Sequence, residues 1–409
     1  MGIIVQKFGG TSVGSAEKIM NVAERVIEEK KRGNDVVVVV SAMGKTTDHL
    51  VSLANEISAQ PSKREMDVLL STGEQVTISL LTMALLEKGY DAISCTGWQA
   101  GIQSESVHGN ARILHIETDH IHRQLQEGKI VVVAGFQGIT AENAIATLGR
   151  GGSDTTAVAL AAALKADKCD IYTDVTGVFT TDPRYVKDAR KLLSVSYDEM
   201  LELANLGAGV LHPRAVEFAK NYHVSLEVRS SMEKEAGTII EEEVSMEQNL
   251  VVRGVAFEGA LSRVTVSGLA NSLTSLSTIF STLANNHIDV DIIIQSSTDN
   301  QLTNLSFSIK QDDLANTLQV LEQNKAQLQY KDIETECGLA KVSIVGSGMI
   351  SNPGVAAKMF DALASTNIQV KMVSTSEIKV STVVEESQMI QAVEALHTAF
   401  ELAGEVVNV

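Results

Sequence analysis

Two glycine clusters hold the residues best suited to chemistry. The first is Lys7-Phe8-Gly9-Gly10-Thr11-Ser12-Val13-Gly14, which closes the apolar run Ile3–Phe8 and precedes a helical pattern from Ala16. Glycines let a backbone approach an anion and turn its N–H groups toward it. A helix N-terminus adds positive potential, and Lys7 adds a mobile cation. The spacing therefore predicts a phosphate cradle, or else a plain tight turn. The second cluster is Gly149-Arg150-Gly151-Gly152-Ser153-Asp154, again directly before a helix. Arg150 is a planar cation suited to a carboxylate, and a purely structural turn has no need of it. Asp154 is either a helix cap or an acid that serves the site. Glu74, in Ser71-Thr72-Gly73-Glu74-Gln75, is by itself a helical glutamate of the usual solvated kind. Thr173-Asp174 ends a strand, and Phe179-Thr180-Thr181-Asp182-Pro183-Arg184 follows a Thr-Gly turn. Open α/β sheets bind ligands at strand C-terminal ends.

Other chemistries find less support. Gly44-Lys45-Thr46 imitates the end of a P-loop, but Val39 stands where that pattern needs glycine. No G-x-G-x-x-G follows the first strand, so a nicotinamide enzyme is not indicated. His115, His120 and His122 lack an acid at ligand spacing and read as surface residues. No metal-ligand set is evident in the sequence.

The elements that must position these residues alternate. Ile3–Phe8, Val36–Ser41, Ala92–Thr96, Ile130–Phe136, Asp170–Asp174 and Ser225–Arg229 read as strands buried on both faces. Ala16–Arg32, Lys63–Lys88, Asn110–Glu127, Asp154–Ala166 and Tyr197–Ala204 carry apolar residues at helical spacing. The fold class is α/β, a mainly parallel sheet sandwiched by helices. At Glu241-Glu242-Glu243 the pattern breaks into an apparent linker. Beyond it the chain repeats: Phe280/Phe360, Leu283/Leu363, Ile288/Ile368 and Val290/Val370 coincide at one offset, and Val264/Val342 and Gly268/Gly346 at another. Each unit reads strand, glycine-containing loop, helix, turn, strand, which suits paired small α+β domains. The expected division is 1–240, a linker 241–250, then 251–330 and 331–409, with terminal strands open to exchange between the repeats.

Composition narrows the partners. Lys plus Arg is 33 and Asp plus Glu is 51, so the formal charge is 33 − 51 = −18. Nucleic acid and anionic membranes need a basic surface and are not expected partners. The longest uninterrupted apolar stretch, Ala157–Leu164, is well short of the ~18 residues of a membrane span. MGIIVQKFGG has no basic start followed by a long apolar core, so a secretory leader is not expected, and Gln6 breaks a myristoylation signal at Gly2. Cys95, Cys169 and Cys337 are odd in number and dispersed, which predicts reduced thiols in a cytoplasmic protein.

The first glycine cluster, with Ser41-Ala42-Met43-Gly44, Gly73-Glu74, Gly135-Phe136-Gln137-Gly138, Gly149–Asp154 and Thr173–Arg184, resembles the aspartokinases of the amino acid kinase fold. The repeats resemble paired ACT domains, so the resemblance runs through essentially the whole chain, in the monofunctional form. It implies Mg²⁺- and ATP-dependent phosphorylation of the L-aspartate side chain, opening the route to lysine, threonine and methionine. Lys7 and Asp154 would be catalytic. Lys7, Phe8, Gly9, Gly10, Thr173, Asp174, Phe179, Asp182 and Arg184 would border ATP. Ser41, Thr47, Glu74, Arg150, Gly151, Gly152 and Ser153 would form the aspartate pocket, with Arg150 on a carboxylate and Glu74 on the ammonium. Mg²⁺ would be held by nucleotide phosphates and water. Two positions depart from the family pattern: Phe179 replaces a Tyr of several relatives, and Gly209 a Lys of many. One hydroxyl and one cationic contact to the nucleotide are thus missing or supplied elsewhere.

For regulation, the resemblance implies an end-product amino acid bound where ACT repeats meet, and a homodimer through those domains. Asp289, Asp291, Gln295, Asn352, Pro353, Gly354 and Ile368 are the candidate effector residues. Alternate acids at Asp289 and Asp291 favour lysine over threonine, unless they are only the solvent side of a strand. The first repeat lacks the Pro353-Gly354 of the second, so its site is expected to differ. Met246, after the glutamate run, is a candidate start for a separately translated regulatory chain. Two rivals are another amino acid kinase, opposed by Thr11–Gly14 and the repeats, and a non-catalytic amino-acid sensor, opposed by intact Lys7, Arg150 and Asp154.

Overall fold

The computed structural model describes residues 2–207, 209–242, 251–297 and 302–404. The chain packs as two compact units. The first comprises the described residues of Met1–Val178, Lys191–Asn205 and Gly209–Gln248, and the second those of Phe179–Arg190, Leu206–Ala208 and Asn249–Val409.

In the first unit the elements run β1 (Ile3–Phe8), α1 (Ala16–Lys31), β2 (Asp35–Val40), α2 (Thr46–Ile57), α3 (Lys63–Glu87), β3 (Ala92–Cys95), β4 (Ile102–Ser104), β5 (Ile113–Ile116), α4 (Asp119–Gln126) and β6 (Ile130–Ala134). They continue with β7 (Gln137–Ile139), β8 (Ile145–Thr147), α5 (Gly152–Leu164), β9 (Lys168–Thr173), β10 (Ser194–Ser196), α6 (Tyr197–Asn205), α7 (Pro213–Tyr222), β11 (Leu226–Ser230) and β12 (Thr238–Glu241). Eight strands form one sheet in the order β10-β12-β11-β9-β1-β2-β6-β3, with β11–β12 as its antiparallel pair. β1, β2, β6 and β9 are parallel neighbours, so their C-terminal ends share one edge. Phe8, Val36, Val38, Val40 and Val132 pack with α1 and α3 in one core cluster. Val5, Val37 and Val39 alternate to the other side of the pleat and are fully exposed to nothing but protein. α5 packs on β1, β2 and β9, and its Ala-rich run Ala157–Ala161 is buried all round.

Three sequence expectations change here. Asn110–Glu127 is not one helix: Ile113–Ile116 forms β5, and α4 begins only at Asp119. β5 belongs to a small sheet, β5-β4-β7-β8, whose strands are too short to show a periodic signal. Glu241 is not linker but the end of β12, paired with Ser196; the rest of the expected linker, Met246 included, lies outside the described residues apart from Glu242. α5 starts at Gly152, so Asp154 stands inside its first turn and Gly151 is the N-cap residue. By length and hydropathy α3 could span a membrane, yet half of that stretch is buried, and Asp67, Ser71 and Glu74 lie on the buried side.

The second unit continues with β13 (Gly254–Ala270), α8 (Leu273–Asn285), β14 (Ile293–Ser297), β15 (Leu302–Lys310), α9 (Leu314–Gln323), α10 (Lys325–Leu328), β16 (Asp332–Val345), α11 (Val355–Ser365), β17 (Met372–Thr375), β18 (Lys379–Glu385) and α12 (Met389–Ala399). They form a six-stranded sheet, β14-β15-β13-β16-β18-β17, centred on the antiparallel β13–β16 pair. Leu283, Ile288 and Val264 anchor one core; Leu363, Ile368 and Val342 anchor the other. The long central strands are shared. Val255 packs in the second repeat's core, and Ile333 against the first's. Residues 179–190 belong to this unit because Val186 is buried in the second repeat's core. Thr180 adds two hydrogen bonds: its carbonyl accepts the Val255 N–H at 2.7 Å, and its Oγ1 lies 2.9 Å from His397 Nε2 on α12.

Candidate active site

The ends of four parallel strands supply the site. Lys7 is the penultimate residue of β1 and is almost wholly buried, with its Nζ 2.6 Å from Asp154 Oδ1. Asp154 thus serves Lys7 instead of capping α5. The loops leaving the strands interlock along this edge. Gly9 N–H bonds to Tyr172 O, Ser41 N–H to Phe8 O, Gly135 N–H to Val40 O, and Gly44 N–H to Gly10 O. A Cβ on Gly10 would stand 2.8 Å from Ala42 O, so the two loops can close only over glycine. Gly44-Lys45-Thr46 therefore buttresses the first cluster rather than forming a phosphate loop of its own.

Glu74 sits in the middle of α3, 3% exposed, with Oε1 accepting the Ala42 N–H at 3.1 Å and Oε2 buried without a partner. Burial raises its carboxyl to about 8, only partly opposed by the backbone hydrogen bonds. An acceptor oxygen held in this way is suited to a cation. Arg150 is exposed in a loop shaped by two left-handed glycines, Gly149 and Gly151. A Cβ on Gly151 would fall 2.1 Å from the His212 ring, so this close approach requires glycine. His212 caps α7 by accepting the Arg214 N–H, and burial lowers its pKa. Arg214 donates to Asn110 Oδ1, Leu148 O and Ala111 O. The roles of His212 and Arg214 carry no sequence signal beyond a proline at the start of a helix, because the groups they meet lie some 60 to 100 residues away.

Lys7, Gly9, Gly10, Ser41, Thr47, Glu74, Arg150–Asp154, Thr173 and Asp174 all lie in the first unit, and Thr173 Oγ1 donates to Asp174. The Phe8 ring is core, stacked on Tyr172 at 4.5 Å between centroids, so its side chain does not line a nucleotide site. Phe179, Asp182 and Arg184 belong to the second unit, where the Arg184 guanidinium holds the Asp182 carboxyl below its usual range. Among the effector candidates Asp291 already has a partner: it pairs with buried Lys341, which also meets Glu258 at 3.2 Å, so two acids share one cation. Ile368 is core, Gln295 donates to Asn271, and Asn352 donates to Gly348 O. Asp289 remains exposed, beside a cavity of about 500 Å³ bordered by Phe280, His287 and Ile293. The repeats do start their first helices differently, α8 with a Ser272 cap and α11 with left-handed Gly354.

Residues 2–230 match the amino acid kinase family, and residues 342–400 match an ACT domain. The chain is 80% identical over 408 residues to an aspartokinase of Bacillus sp. strain MGA3, covering 100% of this chain and 99% of that protein. Its structure is similar to that of Escherichia coli aspartokinase III in complex with aspartate and ADP, with a TM-score of 0.81 and 26% identity over 97% of this chain and 99% of that one. The same enzyme in complex with lysine and aspartate gives a TM-score of 0.75 and 27% identity, over 97% and 99% of the two chains.

The Gly151 approach can be tested on stability alone. Gly151→Ala should cost about 1–3 kcal/mol from backbone strain, plus the His212 collision. Gly33, also left-handed but with open space around it, is the control. In thermal melts Gly151→Ala should lose more than Gly33→Ala; equal losses would refute the close approach.

Proposed function

The chain belongs to the aspartokinase family, and we infer that it transfers the γ-phosphoryl group of ATP to the side-chain carboxylate of L-aspartate, giving 4-phospho-L-aspartate and ADP. The observation that carries this reading is Lys7, fixed 2.6 Å from Asp154 above a glycine turn, in the same unit as the unpartnered oxygen of Glu74.

The attacking carboxylate has a pKa near ~4 and is ionised at neutral pH, so no general base is required. A carboxylate oxygen forms a bond to the γ-phosphorus as the bridge to the β-phosphate breaks, and ADP leaves with the bridging oxygen. The difficulty is the meeting of two anions. Lys7 and the N–H groups of the glycine turn offset charge on the moving phosphoryl group, and Arg150 holds the nucleophile's other carboxylate. Glu74 accepts the ammonium. The cradle presents cations and N–H donors, and Asp154 is occupied by Lys7, so Mg²⁺ suits this site as a companion of the phosphates, where it supplies charge neutralisation. The reading places the enzyme in the cytoplasm, consistent with its three free thiols. It makes lysine the favoured effector and the enzyme a homodimer. The open sheet edges β14 and β17 support association of the second unit with another copy.

Aspartate-dependent ADP release should be lost by about 100-fold or more in Lys7→Ala; turnover unchanged by that substitution would remove Lys7 from the mechanism. Glu74 must ionise to receive an ammonium, so KM for aspartate should rise roughly tenfold from pH 8.5 to pH 7. Glu74→Gln should flatten that profile at a high KM. The stability effect has the opposite sense. The native state keeps the Glu74 proton between about pH 4.5 and 8 while the unfolded state loses it, so this group lowers stability as pH rises through that window. Glu74→Gln should therefore raise the ligand-free thermal midpoint at pH 8, and a lower midpoint would count against a buried, strained carboxyl. For regulation, Asp289→Ala should weaken lysine inhibition about tenfold; an unchanged inhibition curve would exclude Asp289 as the ammonium's partner.

A further inference from the structure

α3 buries Asp67, Ser71 and Glu74 on one face, separated by four and three positions. Glu74 serves the substrate in the reading above, and the Ser71 carbonyl accepts the Gln137 side-chain amide at 2.9 Å. The mechanism gives Asp67 no part, yet it is 1% exposed and its carboxylate is crowded with partners. Oδ2 lies 2.7 Å from His108 Nδ1. The Gly109 N–H donates to both oxygens at 3.1 Å, and Thr147 Oγ1 donates to Oδ1 at 2.5 Å. A buried carboxylate is costly without such bonds and holds its donors tightly with them.

Those donors lead to the Arg150 loop. Thr147 ends β8, three residues before Arg150. Ala111 N–H bonds to Thr147 O at 2.9 Å, which joins the loop after Gly109 to the same strand end. On the far side, Arg214 grips Asn110, Ala111 and Leu148 through its guanidinium. The backbone entering Gly149 is thus fixed by Asp67 from one side and by Arg214 from the other.

The substrate explains why such fixing matters. Aspartate carries its ammonium and α-carboxylate on one carbon, so their separation cannot adapt to a loose site. A misplacement of about 1 Å can cost 100-fold. Glu74 and Asp67 stand seven residues apart on one rigid helix, about 10.5 Å along its axis. We propose that Asp67 is a positioning residue that ties the Arg150 clamp to the helix bearing Glu74 and so sets the distance between the two groups that recognise the amino acid. The proposal rests on the Arg150 and Glu74 roles inferred above.

Steady-state kinetics of Asp67→Ala, Asp67→Asn, Thr147→Val, Arg150→Ala and the Asp67→Ala/Arg150→Ala double variant test it. The probes are aspartate, ATP, and β-alanine, which is aspartate without its α-carboxylate, as a competitive inhibitor. Asp67→Ala should raise KM for aspartate about tenfold or more while KM for ATP stays within about twofold. Inhibition by β-alanine should be unchanged, because that molecule offers Arg150 nothing. The double variant should be no worse than Arg150→Ala alone. Asp67→Asn and Thr147→Val should show smaller shifts of the same pattern, and they decide the matter if Asp67→Ala does not fold. Parallel rises in both KM values, additive losses in the double variant, or an unchanged aspartate KM in the folded variants would overturn the proposal. An Arg150→Ala variant with normal KM for aspartate would overturn it too, and would locate the failure in the clamp itself.

Discussion

A phosphoryl group and a carboxylate are both anions, and in the proposed reading Lys7 is the cation placed where they must meet. Lys7 can be held there because β1 delivers it to the C-terminal edge of a sheet whose neighbours are parallel, and because α5 brings Asp154 to the same point. Burying an ammonium without a counter-charge is costly. Asp154 supplies that counter-charge, and the glycines at positions 9 and 10 leave its front open. Small side chains elsewhere follow from the same demand. The all-round burial of the α5 alanines lets that helix lie close to β1 and β9.

The second unit solves a different problem with the same economy of strands. Two ACT-like repeats share one sheet, and each lends part of its long strand to the other's core. Their charges follow the same pseudo-symmetry with one sign reversed. Glu258, Lys341 and Asp291 form one cluster; Glu336, Arg263 and Lys371 occupy the corresponding places in the other. Asp291 and Lys371 are equivalent positions with opposite charges, so the two clusters differ in net charge, −1 against +1.

The legible parts of this protein were local. β1 was read to its exact bounds, and α1, α3 and the strands around β1 to within a residue or two, because burial on both faces makes strands continuous in apolar residues and long helices show their period. Lys7, Arg150 and Asp154 stood out because glycine clusters are rare and positioned. Most of the failures involve distant partners. Asp291 looked like a free acid because Lys341 is 50 residues away. The helical reading of Asn110–Glu127 failed because Ile113–Ile116 makes sense only once β4 is beside it. Asp67, His212 and Arg214 carry no signal without the loops they hold, and residues 179–190 read as catalytic-domain sequence until Val186 is seen in the second repeat's core.

Glu74 shows most directly how function is set against stability here. A carboxyl raised from 4.5 to about 8 is disfavoured as an anion by on the order of 5 kcal/mol. In the proposed reading the aspartate ammonium supplies the missing partner for Oε2, and binding selects a substrate that carries a cation at that point. Succinate, which has the two carboxylates but no ammonium, would leave Glu74 protonated and without that ion pair. On that reading, discrimination between aspartate and succinate follows from burying one acid on α3 with one oxygen satisfied and the other left bare.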